Sequence, residues 1–278
     1  MSTCPKLSAY FVVALLTSSL VGCGEKNVKS TGSPKIGVQA TQVPDTPPKK
    51  RQRVLGLFGG YMSCGSNNEA PLEGTRMVRY LQLINAKSNA DKSLAPVYVV
   101  SCFGLDAGKV NFISSEAPSK VNNLPISQFV DEFVDLVDRT EDPDLHVVGH
   151  SYGGWLSLQI ADAIKDKNPP RSLTTIDPIS HLLCTPPDVI NSIIGNPVRS
   201  TCNQAPADLS QDSLQAISER TTDWLNFYQT DASLLHSGIL TGADNIKLTY
   251  PGAPLDPHTQ IADDSKVLSR ILALVNES

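Results

Sequence analysis

The sequence contains no Cys-x-x-Cys pair, and its six cysteines and five histidines are spread thinly over 278 residues. Structural metal sites gather thiols and imidazoles at close spacing, so no metal centre is expected, and nothing in the sequence calls for a cofactor. An excess of positive charge is also missing. Lys and Arg number 23 against 28 Asp and Glu, a net charge of −5, and the acidic residues are scattered. Nucleic acid is held by clustered Lys and Arg and is therefore not an expected partner. No internal repeat occurs. The apolar run Ala9 to Leu20 is shorter than the ~20 residues a membrane-spanning helix needs.

That apolar run is part of a targeting segment. Lys6 supplies a small positive region ahead of it, and it closes on Leu20-Val21-Gly22-Cys23. The closing residues resemble the signal of bacterial lipoproteins, in which the chain is cut before a cysteine that is then acylated. The resemblance implies a signal peptide over 1–22, lipidation at Cys23 and attachment to a membrane. Gly24 rather than Asp follows the cysteine, which implies the periplasmic face of an outer membrane. An ordinary secretory signal and an uncleaved anchor are the alternatives. Residues 23–52 contain Gly, Ser, Thr, Lys and several prolines with no apolar period, so a flexible tether is expected there. The basic cluster Lys49, Lys50, Arg51 and Arg53 reads as the solvated end of that tether. Residues 53–278 are one domain's worth of chain.

Within the domain, strand-like and helix-like segments alternate. Val54 to Phe58, Pro96 to Ser101, Leu145 to Val148, Leu173 to Ile176 and Ile246 to Tyr250 are short β-rich runs. Leu72 to Ala86, Ile126 to Arg139, Gly154 to Ile164, Asp212 to Tyr228 and Asp263 to Val275 carry apolar residues at helical spacing. Leu182 to Leu209 shows no period and reads as a loop excursion. Such alternation specifies an α/β fold, a mostly parallel central sheet with helices on both faces, and places ligand-binding groups at the carboxyl ends of the strands. The strand count predicts a reduced sheet.

Loss of Cys4 with the signal and acylation of Cys23 leave Cys64, Cys102, Cys184 and Cys202. An even number in an oxidising compartment favours two disulfides. Cys64–Cys102 is the preferred pair, since both follow strands expected to be neighbours. Cys184–Cys202 would then staple the proline-rich loop.

Gly149-His150-Ser151-Tyr152-Gly153 fits G-x-S-x-G and lies between an apolar strand and a helix, the context a nucleophile elbow requires. A serine hydroxyl needs a base within hydrogen-bond reach and an acid that orients the base. His258 lies after the last strand and before the last helix, where a base-bearing loop should be. His236 and His181 are weaker candidates, His146 reads as a packed residue, and His150 is expected to point away from the serine. Asp177 ends a strand and is followed by Pro178, which fixes its direction. Asp244 is next among the acids, ahead of Asp231 and Asp256. Oxyanion donors would be the N–H of Tyr152 and that of Gly60 or Tyr61.

Four features together resemble the α/β-hydrolase superfamily, in particular its lipase-like members: the run Val147 to Gly154, the Gly59-Gly60 pair after the first strand, Ile176-Asp177-Pro178 and the late His258. The chain order Ser151, Asp177, His258 is the order of that superfamily. Many of its members carry His-Gly where this chain has Phe58-Gly59, which leaves the register of the oxyanion hole open. The resemblance implies a serine hydrolase working through an acyl-enzyme on a small-molecule or lipid ester. Amide and thioester hydrolysis and acyl transfer share the same machinery, and a non-catalytic interaction module is the reading from another class. The excursion with Ile190, Ile193 and Ile194 is either a stapled structural loop or part of an acyl-binding lid.

Overall fold

Val54 to Phe58 is apolar on both faces because strand β1 (Gln52–Phe58) lies at the centre of a sheet covered on both sides. The computed structural model describes residues 51–64, 70–71, 75–88, 95–196, 199–206 and 208–276. The expected signal peptide, Cys23 and nearly all of the tether lie outside them. The other strands are β2 (Val97–Cys102), β3 (Lys109–Ser114), β4 (Ala117–Pro125), β5 (Pro143–His150), β6 (Ser172–Ile176), β7 (Asp223–Tyr228) and β8 (Asp244–Lys247). They form one eight-stranded sheet in the order β4-β3-β2-β1-β5-β6-β7-β8. β3 runs antiparallel to β2 and to β4, and the remaining pairs are parallel.

From β1 the chain winds one way to β2. After β4 it crosses back to β5 on the opposite side of β1. The reversal leaves a crevice above the carboxyl ends of β1 and β5, the switch point at which ligands enter sheets of this kind.

Helices α1 (Arg76–Ser88) and α7 (Ser265–Asn276) cover one face. Their Met77, Tyr80, Ile84, Val267 and Ile271 pack on Leu55, Leu57, Val148 and Phe227. Helices α2 (Ile126–Arg139), α3 (Tyr152–Ile164) and α5 (Gln211–Arg220) cover the other, with Phe129, Phe133, Trp155 and Ile217 on Val54, Phe58, Val147 and Leu173. Consecutive strand residues point to opposite faces, so β5 sends Val147 to one cluster and Val148 to the other. In α2 the buried residues Phe129, Phe133, Leu136 and Val137 recur at helical spacing. Phe133 stands edge-on to Phe58 with ring centroids 5.4 Å apart. Truncating such a ring to alanine costs about 3–5 kcal/mol.

Three expectations need correction. The sheet is not reduced: β3 and β4 join it as an antiparallel extension. The segment Asp212 to Tyr228, read as one helix, is α5 followed by β7, a strand whose Trp224, Leu225 and Phe227 are buried. The excursion after Leu182 contains helix α4 (Pro186–Ile193) and a 3-10 turn at Ser200–Asn203. Both disulfides join the preferred partners, Cys64 to Cys102 and Cys184 to Cys202.

Candidate active site

Ser151 stands between β5 and α3 with φ +59° and ψ −126°. This is a sparsely populated conformation for a residue with a side chain, and its surroundings hold it there. The Ser151 N–H donates to the carbonyl of Ile176 at 3.1 Å, and the Ser151 carbonyl accepts from Gly154, Trp155 and Ile179. Gly153 allows α3 to meet the end of β1, because a Cβ there would lie 2.0 Å from the Phe58 carbonyl oxygen. The serine therefore projects at the N-terminus of α3, where the helix dipole and free N–H groups favour negative charge.

Gly60 lies against the serine from the neighbouring strand end. A Cβ on Gly60 would lie 2.5 Å from Ser151 Cβ and 2.8 Å from its Oγ. The Gly60 carbonyl is turned away and held by the N–H of Ser63 at 3.2 Å, the Ser63 hydroxyl at 2.5 Å and the N–H of Phe103 at 3.3 Å. Cys64, next to Ser63, is bonded to Cys102, next to Phe103, so this loop is stapled to the end of β2. Among the described residues no hydrogen bond takes up the N–H of Gly60, Tyr61 or Tyr152. The Tyr61 ring tilts on that of Tyr152, whose centroid is 5.9 Å away. The buried Tyr152 hydroxyl donates to the carbonyl of Cys184, and burial pushes its pKa up, keeping it a donor.

His258 lies on the short helix α6 (Asp256–Gln260) and is 5 % exposed. Its Nδ1 is 2.6 Å from Oδ2 of Asp177. A carboxylate only accepts, so Nδ1 carries the proton and Nε2 keeps a free lone pair. Asp177 is fully buried and has φ +42°. Its Oδ2 also accepts from Gln229 Nε2 at 2.7 Å, and its Oδ1 from the Ser237 N–H at 2.8 Å. Three donors thus compensate the buried carboxylate. Among the described residues no hydrogen bond joins Ser151 Oγ to His258.

The competing candidates lie elsewhere. Asp244 is exposed at the start of β8, on the opposite edge of the sheet. Asp231 and Asp256 accept from the N–H groups of Tyr250 and Ala253 in turns. His181 bonds the Ala107 carbonyl at 2.6 Å and stacks on Trp155, while His236 contacts the carbonyl of Ser237. His146 and His150 are four residues apart, but on a strand that spacing covers ~13 Å, too far for both to hold one metal. Among the described residues no His, Cys, Asp and Glu cluster fit for a metal ion occurs.

A second Ser-His-Asp cluster is present. His146 Nδ1 lies 2.7 Å from Ser172 Oγ and its Nε2 lies 3.3 Å from Asp144 Oδ2. These groups sit at the amino ends of β5 and β6, all buried, His146 at 0 % exposure. Arg51 and Arg171 approach Asp144 at 3.9 and 3.8 Å. The cluster reads as a buried polar junction between the two strands.

Sequence reasoning missed Gln229, Ser63 and the surroundings of His150. The His150 ring lies against His258 with ring centroids 4.8 Å apart. Gln229 had one legible signal, its place just beyond the end of β7, at the same sheet edge as Asp177.

The sequence matches the model of the alpha/beta hydrolase family over residues 76–265, a span that holds Ser151, Asp177 and His258. No curated protein matches it. Among solved structures it is similar to naproxen esterase (carboxylesterase NP) from Bacillus subtilis, with 10% identity, coverage of 82% of this chain and 85% of that one, and a TM-score of 0.45. Alpha/beta hydrolase domain-containing protein 10 from mouse has 13% identity, coverage of 82% and 89%, and a TM-score of 0.43. A structure of fungal esterases from Rhizomucor miehei has 12% identity, coverage of 84% and 78%, and a TM-score of 0.42. With the family match extending over most of the domain, across the elbow and the crevice edge, the chain belongs to the alpha/beta hydrolase family.

Proposed function

We propose that the protein is a serine hydrolase that cleaves carboxylic esters through an acyl-enzyme. The observation that carries this reading is the buried His258–Asp177 pair at 2.6 Å beside a serine held at φ +59°. In this scheme substrate binding brings Ser151 Oγ to the free Nε2 of His258, a contact that commonly tightens only in the Michaelis complex. Oγ attacks the ester carbonyl as His258 takes its proton. Asp177 keeps the proton on Nδ1 and stabilises the imidazolium, and His258 returns the proton to the leaving alcohol. Water, activated by the same imidazole, then releases the acid. The N–H groups of Gly60 and Tyr152 receive the oxyanion. Gly60 is favoured over Tyr61 because its backbone lies against Ser151 and its carbonyl is held away. Removing one such donor costs about 3–4 kcal/mol of transition-state stabilisation.

The reading includes a place for the enzyme: acylated at Cys23, tethered by residues 24–52 and facing the periplasm from the outer membrane. The lipoprotein-like ending of the apolar segment supports it, and loss of metabolic acyl labelling in Cys23→Ser tests it.

The test of function uses the full chain in detergent with p-nitrophenyl esters of graded chain length, beside Ser151→Ala and His258→Ala. Turnover abolished in both variants, with fluorophosphonate labelling lost in Ser151→Ala, is expected. Turnover that survives Ser151→Ala would remove the proposal.

A further inference from the structure

His258 is held from two directions. Asp177 fixes its ring from the side, and a separate group of side chains grips the backbone that carries it. His150 shares a strand face with Val148, the face covered by α1 and α7, which brings it beneath α6 and beside the first turn of α1. Its Nε2 is 2.9 Å from the carbonyl of His258 and its Nδ1 is 3.5 Å from Arg76 Nη1. A carbonyl only accepts and a guanidinium only donates, so one tautomer fits: protonated at Nε2, bare at Nδ1. Burial first, then the neighbouring His258 and Arg76, push the His150 pKa well below its usual value, so the ring stays neutral in this role.

Arg76 extends the grip. It donates from Nη2 to the carbonyl of Thr259 at 3.1 Å and forks onto Asp263 at 3.1 and 2.8 Å. Burial opposes the Asp263 charge, but the Arg76 fork and Arg79 hold its pKa below the ordinary carboxylate value. One turn further along α1, the Tyr80 hydroxyl donates to the carbonyl of Ala262. The carbonyls of residues 258, 259 and 262 are therefore each taken by a side chain from α1 or the elbow.

We propose that His150 and Arg76 are positioning residues: they fix the backbone of the α6 segment so that the His258 ring stays aligned between Asp177 and Ser151. The residue before the nucleophile thereby ties the elbow to the loop that carries the base. This inference rests on the hydrolase reading above. A packing role alone would show in stability. A positioning role shows in turnover per correctly folded site, because small misplacements of a catalytic group carry large rate penalties.

The experiment compares His150→Phe, which keeps a stacked ring without a donor, with His150→Gln, which keeps an N–H donor at similar reach. Arg76→Met is measured beside them, all in the full chain. Active sites are counted by exhaustive fluorophosphonate labelling, and kcat and KM are measured on a p-nitrophenyl ester. We expect His150→Phe to lower kcat per labelled site by about tenfold or more with KM within about twofold, and His150→Gln to recover most of that loss. Arg76→Met should lower kcat in the same way, and the double variant His150→Phe/Arg76→Met should fall short of the product of the two losses. A wild-type kcat per labelled site in His150→Phe, a loss confined to KM, or a loss that His150→Gln does not recover would overturn the inference while leaving the hydrolase reading intact. If His150→Phe does not fold, the kcat of Arg76→Met decides by the same criterion. Turnover independent of Ser151 would remove both.

Discussion

Oδ2 of Asp177 accepts two hydrogen bonds at once, from His258 Nδ1 at 2.6 Å and from Gln229 Nε2 at 2.7 Å. The amide of Gln229 is itself fixed, because its Oε1 accepts from the N–H groups of Asp231 and Ala232 at 2.8 Å each. The Asp177 carboxylate thus has a direction imposed by the residue after β7 as well as by its own strand. Replacing Asp177 with Asn keeps the size but puts an N–H group where the acceptor was, and favours the wrong tautomer of His258. Asp177→Asn should lower kcat by about 10³ to 10⁴ with little change in KM, measured on a p-nitrophenyl ester at neutral pH. Retention of more than a tenth of the activity would show that the pair does not serve the reaction.

The Cys64–Cys102 bridge closes a loop with a sequence separation of 38; Gly59-Gly60 lies just outside it, yet the bridge flanks both residues that hold the Gly60 carbonyl. Its loss should act twice. Loop-closure entropy assigns the bridge about 4 kcal/mol of stability. Freeing Ser63 and Phe103 should also loosen the peptide next to Ser151. In Cys64→Ala/Cys102→Ala we expect a lower denaturation midpoint and a kcat per labelled site reduced by several-fold. Cys184→Ala/Cys202→Ala should lower the midpoint without touching the Gly60 peptide. Equal kcat losses in the two double variants would contradict the assignment.

His150 makes stability depend on pH. Its pKa in the folded chain lies well below the ordinary 6.5. Below pH 6.5 the unfolded chain binds a proton that the folded chain does not, so stability from this group is complete above 6.5 and falls as pH is lowered. The slope approaches about 1.4 kcal/mol per pH unit until the folded-state pKa is reached. Urea denaturation at several pH values between 5 and 7 should show a shallower decline in His150→Gln than in wild type. Parallel curves would mean that His150 titrates normally.

The elbow was legible because its pattern is local: an apolar strand, two glycines that permit close approach, and a helix. Asp177 and His258 were legible from their places after strands, since parallel topology carries such positions to one edge. What escaped detection depends on partners distant in sequence. β4 reads Ala-Pro-Ser-Lys-Val-Asn-Asn-Leu-Pro, a mostly exposed edge strand with weak β propensity, and only pairing to β3 makes it a strand. β7 merged into the preceding helix because Trp224, Leu225 and Phe227 suit either element until burial is known. α4 is the exception, missed although its signal is local: Thr185, Pro186, Pro187 and Asp188 form a helix-start signature, and the Asp188 carboxylate accepts from the Thr185 N–H at 3.0 Å. The grip of His150 on the α6 segment was not legible at all. It joins residues 108 positions apart, and no local pattern encodes such a pair.

Ser172, His146 and Asp144 reproduce the side-chain types of the crevice within one sheet, with hydrogen-bond distances of 2.7 and 3.3 Å. The two clusters differ in their bonds: His258 Nδ1 meets Asp177 and, among the described residues, no hydrogen bond joins His258 to Ser151 Oγ, whereas His146 Nδ1 meets Ser172 and its Nε2 meets Asp144. Their places in the sheet differ as well: Ser151 follows the carboxyl end of β5 at the start of α3, and Ser172 stands at the amino end of β6. Recognition of hydrolases from geometry therefore has to score which imidazole nitrogen meets the carboxylate, and where the serine stands in the sheet, as well as the side-chain types.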